Sequence, residues 1–334
     1  MLRFSKKKII TFWAILTFMY VLYVEEFLYA INMKRWHTIQ CKDERECVRI
    51  LLVADPQIIG NMNEHIHIIT PFSILDCDRY LKKTYGFAYE FVKPDVVLFL
   101  GDLMDEGHVA DDEDFYKYVK RIFDIFLTPF NMDTTVKHIW LPGDNDIGGE
   151  DTRITPKKLQ RFERAFPQPS LHKDRQFYDT SNIFIGVSHV PLMFLPSPFV
   201  TKVIDKMQPH LLFTAHEHKS MIINTDALLR QDYHITPITP DNIQVYEYSL
   251  GITDLYEIMI PTSSYRMGTK SIGYGFAVIE NSDLKFTVLW SPERLFYLEI
   301  YVFLFGLPIL LVCLSTGCGC VLKRSRHSHI FVII

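Results

Sequence analysis

The sequence predicts an α/β body of layered sheets with helices outside, carried between one transmembrane helix at each end of the chain. Three observations lead there. Long apolar runs flank the chain; the body between them alternates strand-length apolar runs with amphipathic helical stretches; and several strand runs end in polar clusters. With 334 residues and 48% hydrophobic content, the chain can bury one large core, and a single domain plus two membrane segments accounts for its length.

Arg3, Lys6, Lys7 and Lys8 precede an apolar stretch from Ile9 to Val24, which resumes after Glu25 and Glu26 and reaches Ile31. Read as one helix over 9–31, it is long enough to cross a bilayer, which takes about 20 residues. A cleaved signal peptide is the competing reading, but the run exceeds a signal core and no small-x-small site follows it closely. The second segment, 295–322, is dense in Leu, Ile, Val and Phe, with Lys323, Arg324 and Arg326 after it. Cationic flanks at both ends predict cytosolic termini, 1–8 and 323–334, and a lumenal or extracellular body, 32–294. Lys34 and Arg35 weigh the other way without outnumbering the N-terminal cluster. Glu25 and Glu26 lie one to two turns inside the lumenal end. They are costly at that depth unless they reach interfacial water or a cationic lipid head group.

The formal charge of -4, with no long Lys/Arg patch in the body, disfavours polynucleotide substrates, so no nucleic-acid partner is expected. Cys41, Cys47 and Cys77 fall early in the body and Cys313, Cys318 and Cys320 in the apolar tail, with no zinc-type Cys-x-x-Cys pair. Cys41 and Cys47 either close a short loop in an oxidising lumen or stay as two free thiols. The tail cysteines stand where S-palmitoylation occurs.

In the body, strand-length apolar runs occupy 48–54, 95–100, 136–141, 182–187 and 210–214, and helical spacing occupies 74–91, 113–126 and 156–166. Runs at 254–260, 273–279 and 284–290 have no helices between them and read as antiparallel strands completing a sheet. The stretches 61–73 and 222–252 read as loops that shape a substrate pocket.

Five strand runs end in donors: Asp55-Pro56-Gln57; Gly101-Asp102-Leu103-Met104-Asp105-Glu106-Gly107; Gly143-Asp144-Asn145-Asp146; Ser188-His189; and Ala215-His216-Glu217-His218. Ligands of open α/β sheets collect at the carboxyl ends of the strands. One such Asp is ordinarily a turn or cap residue and one such His a core or surface group. Five oxygen and imidazole clusters along one edge read as a metal site.

This ordered set resembles the calcineurin-like metallophosphoesterase superfamily, with its Asp-x-His, Gly-Asp-x-x-Asp, Gly-Asn-His-Asp/Glu, separate His and Gly-His-x-His motifs, over residues 49–218. The resemblance implies a metallophosphoesterase sandwich of two mixed sheets flanked by helices. The flanking helices, the Asp-Pro-Gln opening, the Gly-Asp-x-x-Asp-Glu-Gly form and the Asp-Ile-Gly after the third motif are similar to the group of metallophosphoesterase 1 and yeast cell division control protein 1. That resemblance implies a manganese-dependent phosphodiesterase that removes ethanolamine phosphate from GPI-anchor mannoses in the ER and Golgi. A GPI glycolipid or GPI-anchored protein would be its substrate and membrane lipid its surroundings. Carried over by position, Asp55, Gln57, Asp102 and His218 would hold one divalent ion and Asp102, Asp144, His189 and His216 a second, with Asp102 shared.

Three positions depart from the superfamily pattern. Gln57 replaces a His and Asp144 an Asn, and both changes favour the harder ions Mn²⁺ or Mg²⁺ over Zn²⁺. Asn145 stands where a His usually assists the leaving group, and an amide donates a hydrogen bond but no proton. His108, His65 and His67 are nearby alternatives by sequence, while Asp105 and Asp146 would orient ligands. Ala215 in place of Gly is tolerated if the turn keeps negative φ. Competing readings are a phosphodiesterase for another lipid or nucleotide and a non-catalytic membrane adaptor of the same fold. An adaptor freed from metal binding would have scattered inert residues among the ligand positions. Two helices alone line no transport pathway.

Overall fold

The structure is a computed structural model that describes residues 6–61, 69–127, 135–169, 183–194 and 197–326, with side chains to Cys313 at the C-terminal end. It divides into two units, one formed by the two ends of the chain and the other by Tyr29–Pro292.

In the first unit, α1 (Lys6–Leu22) passes through a wide π-type turn at Tyr23–Phe27 into α2 (Leu28–Met33). The C-terminal helix, here α8, spans Arg294–Arg326. Both helices are long and apolar enough to cross a membrane, over Lys7–Met33 and Arg294–Cys313. The π turn coincides with the two glutamates that interrupt the apolar run. Glu25 ion-pairs with Arg294 Nη1 at 2.8 Å and accepts from the Tyr301 hydroxyl at 2.9 Å. Its partners are therefore protein groups, where the sequence suggested interfacial water or a lipid head group.

The body holds two sheets. β1 (Cys47–Val53), β2 (Val96–Phe99) and β3 (Lys137–Trp140) run parallel in the first, with α3 (Thr70–Val92) and α4 (Asp112–Phe126) between them in sequence. α3 begins four residues before the periodicity at 74–91, because Pro71 fits a first helical turn. α4 opens on Asp111, whose side chain accepts from Asp114 N, and buries Phe115, Tyr118, Val119, Ile122 and Phe126 at helical spacing. The short α5 (Asp144–Ile147) and α6 (Pro156–Ala165) precede the second sheet, which takes in β4 (Ile185–Val187) and, after α7 (Pro198–Met207), β5 (Leu211–Thr214).

The remaining strands are β6 (Ser220–Asp226), β7 (Tyr233–Ile238), β8 (Tyr246–Ser249), β9 (Asp254–Met259), β10 (Gly273–Glu280) and β11 (Asp283–Trp290). The strand orders are β3-β2-β1-β10-β11-β8 and β4-β5-β9-β6-β7. Two expectations change. The stretch 222–252, read as a loop, contains β6, β7 and β8; β7 is largely exposed, so no buried alternation marks it in the sequence. The late runs are also not all antiparallel to their neighbours. β9 inserts between β5 and β6, parallel to the first and antiparallel to the second.

The central strands β1, β2 and β10 of the first sheet bury both faces over most of their length, which is why they read as continuous apolar runs. Leu51 and Val53 of β1 face a cluster with Tyr85, Phe115 and Ile122 of the outer helices. Ile50, Leu52 and Ala54, on alternate positions, join Phe213, Ile258 and Ile260 between the sheets. On the far side Leu212, Ile223 and Met259 meet Met193 and Ile204. The layers are thus helix, sheet, sheet, helix, and β1, β2 and β3 end at one edge. Before β1, Cys41 and Cys47 form a disulfide, while buried Cys77 and exposed Cys313 are in none. The side chains of Cys318 and Cys320 lie outside the described residues.

Candidate metal centre

At that edge the backbone bends sharply, and it does so at the ligand positions. Asp55, Gln57, Asp102, His216 and His218 all have positive φ, between 39° and 72°. Side-chain-bearing residues rarely adopt that conformation, and it persists only where surrounding structure enforces it, typically at functional sites. The enforcing contacts are visible. Gln57 N donates to Asp102 O at 2.9 Å, Leu100 N to Val53 O at 2.8 Å and Ala215 N to His189 O at 2.9 Å, so each turn is tied to its neighbour. Gly101 has φ 97°, and a Cβ there would fall 2.6 Å from His189 Nδ1 and 2.8 Å from Gly143 N. Ala215 keeps an ordinary negative φ, so it stands in for Gly without strain.

The donors gather in two groups that share Asp102. Asp102, Asp144, His189 and His216 each offer a ligand atom within 4.8 Å of the others. Within this group Asp144 Oδ1 lies 3.0 Å from His189 Nε2 and 3.2 Å from His216 Nδ1. On the other side Gln57 Nε2 lies 2.9 Å from Asp102 Oδ2 and 3.3 Å from His218 Nε2. A half-turn of that amide presents its oxygen to a cation instead. His189 donates through Nδ1 to Leu100 O at 2.8 Å, which fixes the tautomer that leaves Nε2 as the ligand atom. All seven predicted ligand positions lie at this edge.

Asp55 provides the test of fit. Its carboxylate is fully buried, and neither oxygen has a hydrogen-bond partner. Its closest cationic group is the His189 ring, whose Nδ1 is 3.8 Å from Oδ1. Burial pushes its pKa up to about 7, against the pull of His189 and with the nearby Asp102 charge adding to the rise. A carboxylate in that position is expensive unless a cation compensates it, and the donor set around it has the oxygen and imidazole chemistry that divalent cations bind. The imidazoles report the same acidic field. Burial works against the charge of His189, yet the hydrogen bond it donates to Asp144 and the charges of Asp102 and Asp55 bring its pKa up to about 10. Asp144 is held well below the usual carboxylate range by its bonds to His189 and His216. His218, desolvated, is shifted down.

The residues read as catalytic, Asn145, Asp146 and His108, make the following contacts. Asn145 Nδ2 and N donate to the two oxygens of Asp102, at 2.7 and 3.0 Å, so the amide holds the shared carboxylate. Asp146 is fully buried and accepts from the backbone N–H of Leu103, Met104 and Gly143, which makes it a brace between the second and third strand ends. Its pKa rises to about 7 through burial and the Asp102 charge. His108 is half-buried behind Asn145, its Nδ1 3.1 Å from that residue's carbonyl oxygen. His65 and His67 lie outside the described residues.

Four functional positions escaped the sequence reading. Thr262 Oγ1 donates to Asp55 O at 2.8 Å, and Ser263 N donates to Ala54 O at 2.9 Å, so the segment after β9 pins the first strand end. Arg266 donates to Gln57 O at 3.3 Å and ion-pairs with Asp105 at 3.4 Å, bringing a guanidinium beside the centre. The signal was there: Pro261-Thr262-Ser263-Ser264-Tyr265-Arg266 is a sixth polar cluster directly after an apolar run. The fourth is Glu257, buried in β9, which accepts from Leu192 and Met193 N at 2.6 and 2.7 Å and so anchors the loop bearing His189.

Two mixed sheets in an α/β sandwich, with carboxylates and imidazoles converging at the strand ends, are the fold and donor set of the metallophosphoesterase class. The chain belongs to the calcineurin-like phosphoesterase family, which it matches over residues 48–247. It is similar to cell division control protein 1 of Saccharomyces cerevisiae, 29% identical over 193 residues, covering 56% of this chain and 37% of the yeast protein. Metallophosphoesterase 1 of Danio rerio is 27% identical over 161 residues, covering 47% of this chain and 40% of the fish protein. The matches thus span less than half the length of these relatives. Among solved structures, a dimetal phosphatase from Danio rerio aligns with 73% of this chain and 99% of its own, at 10% identity and a TM-score of 0.36.

Proposed function

We propose that the protein is a membrane-anchored two-metal phosphodiesterase that removes ethanolamine phosphate from GPI-anchor mannose in the secretory pathway. The single observation that carries the metal chemistry is the buried, unpartnered carboxylate of Asp55 beside the Asp102 cluster. Asp55, Gln57, Asp102 and His218 would hold one ion, and Asp102, Asp144, His189 and His216 the other. Divalent ions held there would supply Lewis-acid stabilisation of the phosphoryl oxygens and would acidify a water near neutral pH. With three carboxylates and one amide among the seven ligand positions, Mn²⁺ suits the site better than Zn²⁺.

The chain's own groups do the rest. Asn145 keeps both Asp102 oxygens aimed at the centre, and the Leu100 carbonyl keeps His189 in register. Asn145 cannot supply the leaving group's proton, so that proton comes from solvent or from His108. His108→Ala separates the two: kcat is unchanged if solvent serves and falls at least tenfold if the imidazole does. The membrane substrate is supported by the two apolar helices, since confinement in the substrate's own bilayer raises local concentration. A lumenal body with both termini in the cytosol agrees with the cationic flanks and with the Cys41–Cys47 disulfide, which persists in oxidising compartments.

Full-length protein in detergent with Mn²⁺ is expected to hydrolyse a generic aryl phosphodiester, and Asp102→Ala to lower the rate at least a thousandfold. Mass spectrometry of GPI anchors from cells lacking the gene is expected to show retained ethanolamine phosphate. Unchanged anchors would remove this substrate and leave another lipid phosphodiester.

A further inference from the structure

Glu257 is a carboxylate outside the ligand set, yet it is fully buried in the middle of the second sheet. β9 lies between β5 and β6, and Glu257 stands opposite Leu212 of the one and Ile223 of the other. Its neighbours in sequence, Tyr256 and Ile258, belong to the layer between the sheets, so the alternation of a strand sends Glu257 to the opposite face. That face is apolar: Leu212, Ile223, Leu255 and Met259 pack there with Met193 and Ile204. A carboxylate among such side chains is costly unless strong donors meet it. Burial raises its pKa, and the N–H groups of Leu192 and Met193 pull it back toward the charged form.

Those two N–H groups belong to the loop that starts at His189. Leu192 N donates to Oε1 at 2.6 Å and Met193 N to Oε2 at 2.7 Å, so each oxygen takes one of two successive backbone donors. Hydrogen bonds to an ionised acceptor are the stronger kind, and a pair of them fixes orientation as well as distance. The outer side of the loop offers little support of its own. Val190 and Phe194 are exposed, and a pocket of about 240 Å³ opens between Leu192, Met193 and the α7 residues Thr201 and Ile204. At the near end of the loop, His189 Nδ1 donates to Leu100 O at 2.8 Å, and the His189 carbonyl accepts from Ala215 N at 2.9 Å. The imidazole is thus gripped by the first sheet, while its backbone is tied to the second sheet at Ala215, after β5, and through Glu257, in β9. Other ligands have separate supports: Thr262 and Arg266 donate to the carbonyls of Asp55 and Gln57, and Asn145 donates to the Asp102 carboxylate.

We propose that Glu257 is a positioning residue that sets the affinity of one ion of the pair, the one held by Asp102, Asp144, His189 and His216, by fixing the 189–193 loop before any ion binds. The inference rests on the two-metal reading above and is independent of which phosphodiester is cut. Its consequence is that the two ions are unequal. One is held mainly by turns braced against the first sheet, and the other depends on a loop and its buried anchor. Glu257→Gln keeps the size of the side chain and one acceptor oxygen, but it sets an amide NH₂ against the second backbone N–H, and two donors facing each other displace the loop.

Mn²⁺ titration calorimetry of metal-free, full-length protein in detergent tests this without any catalysis. Glu257→Gln is expected to weaken one Mn²⁺ site about ten- to a hundredfold and to leave the other unchanged. His189→Ala should weaken the same site, and combining the two substitutions should weaken it no further than His189→Ala alone. Equal weakening of both sites, or a Glu257→Gln effect that adds in full to that of His189→Ala, overturns the proposal. Hydrogen exchange of the wild-type chain examines the anchor with no substitution at all. The Leu192 and Met193 amides are expected to be equally protected with and without Mn²⁺, and protection that appears only with Mn²⁺ contradicts a loop fixed in advance. Wild-type protein that takes up no Mn²⁺ would defeat the two-metal reading and this inference with it, whereas two bound ions indifferent to Glu257→Gln would defeat this inference alone.

Discussion

Glu25 and Asp55 are both carboxylates withdrawn from bulk water, and they are treated in opposite ways. Glu25, in the apolar helical unit, has the Arg294 guanidinium at 2.8 Å and the Tyr301 hydroxyl at 2.9 Å. Asp55, in the body, has no hydrogen-bond partner for either oxygen. Where a buried charge is satisfied by the protein, it holds elements together; where it is left unsatisfied beside the Asp102, Asp144, His189 and His216 donors, the arrangement fits a cation. The backbone agrees. Positive φ at Asp55, Gln57, Asp102, His216 and His218 concentrates strain at the second kind of site.

The sharpest way to break the comparison is to unpair the first carboxylate. Arg294 and Glu25 side chains are 5% and 14% exposed, so Arg294→Ala or Glu25→Ala alone should cost about 3–5 kcal/mol, seen as a lowered melting temperature in detergent. The double change Glu25→Gln with Arg294→Gln should recover much of that loss. Single variants as stable as wild type would show that the pair holds nothing.

The two carboxylates also differed in how far the sequence revealed them. Asp55 was legible because a strand run of Val, Leu and Ala ends on it, and four other runs end the same way; the local pattern carries the whole message. The partner of Glu25 was not, because Arg294 lies at the far end of the chain and reads in sequence only as a cation before an apolar run. The same limit hid Arg266 and Thr262, whose role depends on β9 lying next to β5 in space. Helix α4 was readable almost to the residue from its spacing, whereas β7, an exposed strand of Tyr, His, Thr and Pro, has no buried face to write into the sequence. The hydrogen bonds from Asn145 to Asp102 were likewise not legible, because they join two strand ends far apart in sequence.

A smaller perturbation sharpens the second half of the comparison. Gly101→Ala puts a methyl group against His189 Nδ1 and Gly143 N at a positive φ, so it should cost about 1–3 kcal/mol of stability. It should also weaken Mn²⁺ binding through the displaced imidazole, measured by calorimetry. Unchanged affinity would mean that His189 does not depend on this close approach.

The smallest effect concerns a buried group that needs no ligand. Burial pushes the Cys77 thiol from an ordinary value of 9.0 up to about 12. The stability that this protonated thiol lends is therefore complete below pH 9 and drains away as pH rises toward 12. At pH 8 iodoacetamide should leave Cys77 unmodified in the native protein and label it after denaturation, as read by peptide mass spectrometry. Native labelling at that pH would show that the α3 side of the body opens more than its packing implies.

The central claim is that the unsatisfied edge of the body is a site for divalent cations. Elemental analysis of full-length protein purified with Mn²⁺ tests it most directly. The expected result is about two ions per wild-type chain and fewer than about one for Asp102→Ala, which removes the shared ligand. Wild-type protein that binds no more metal than Asp102→Ala under saturating conditions would contradict it.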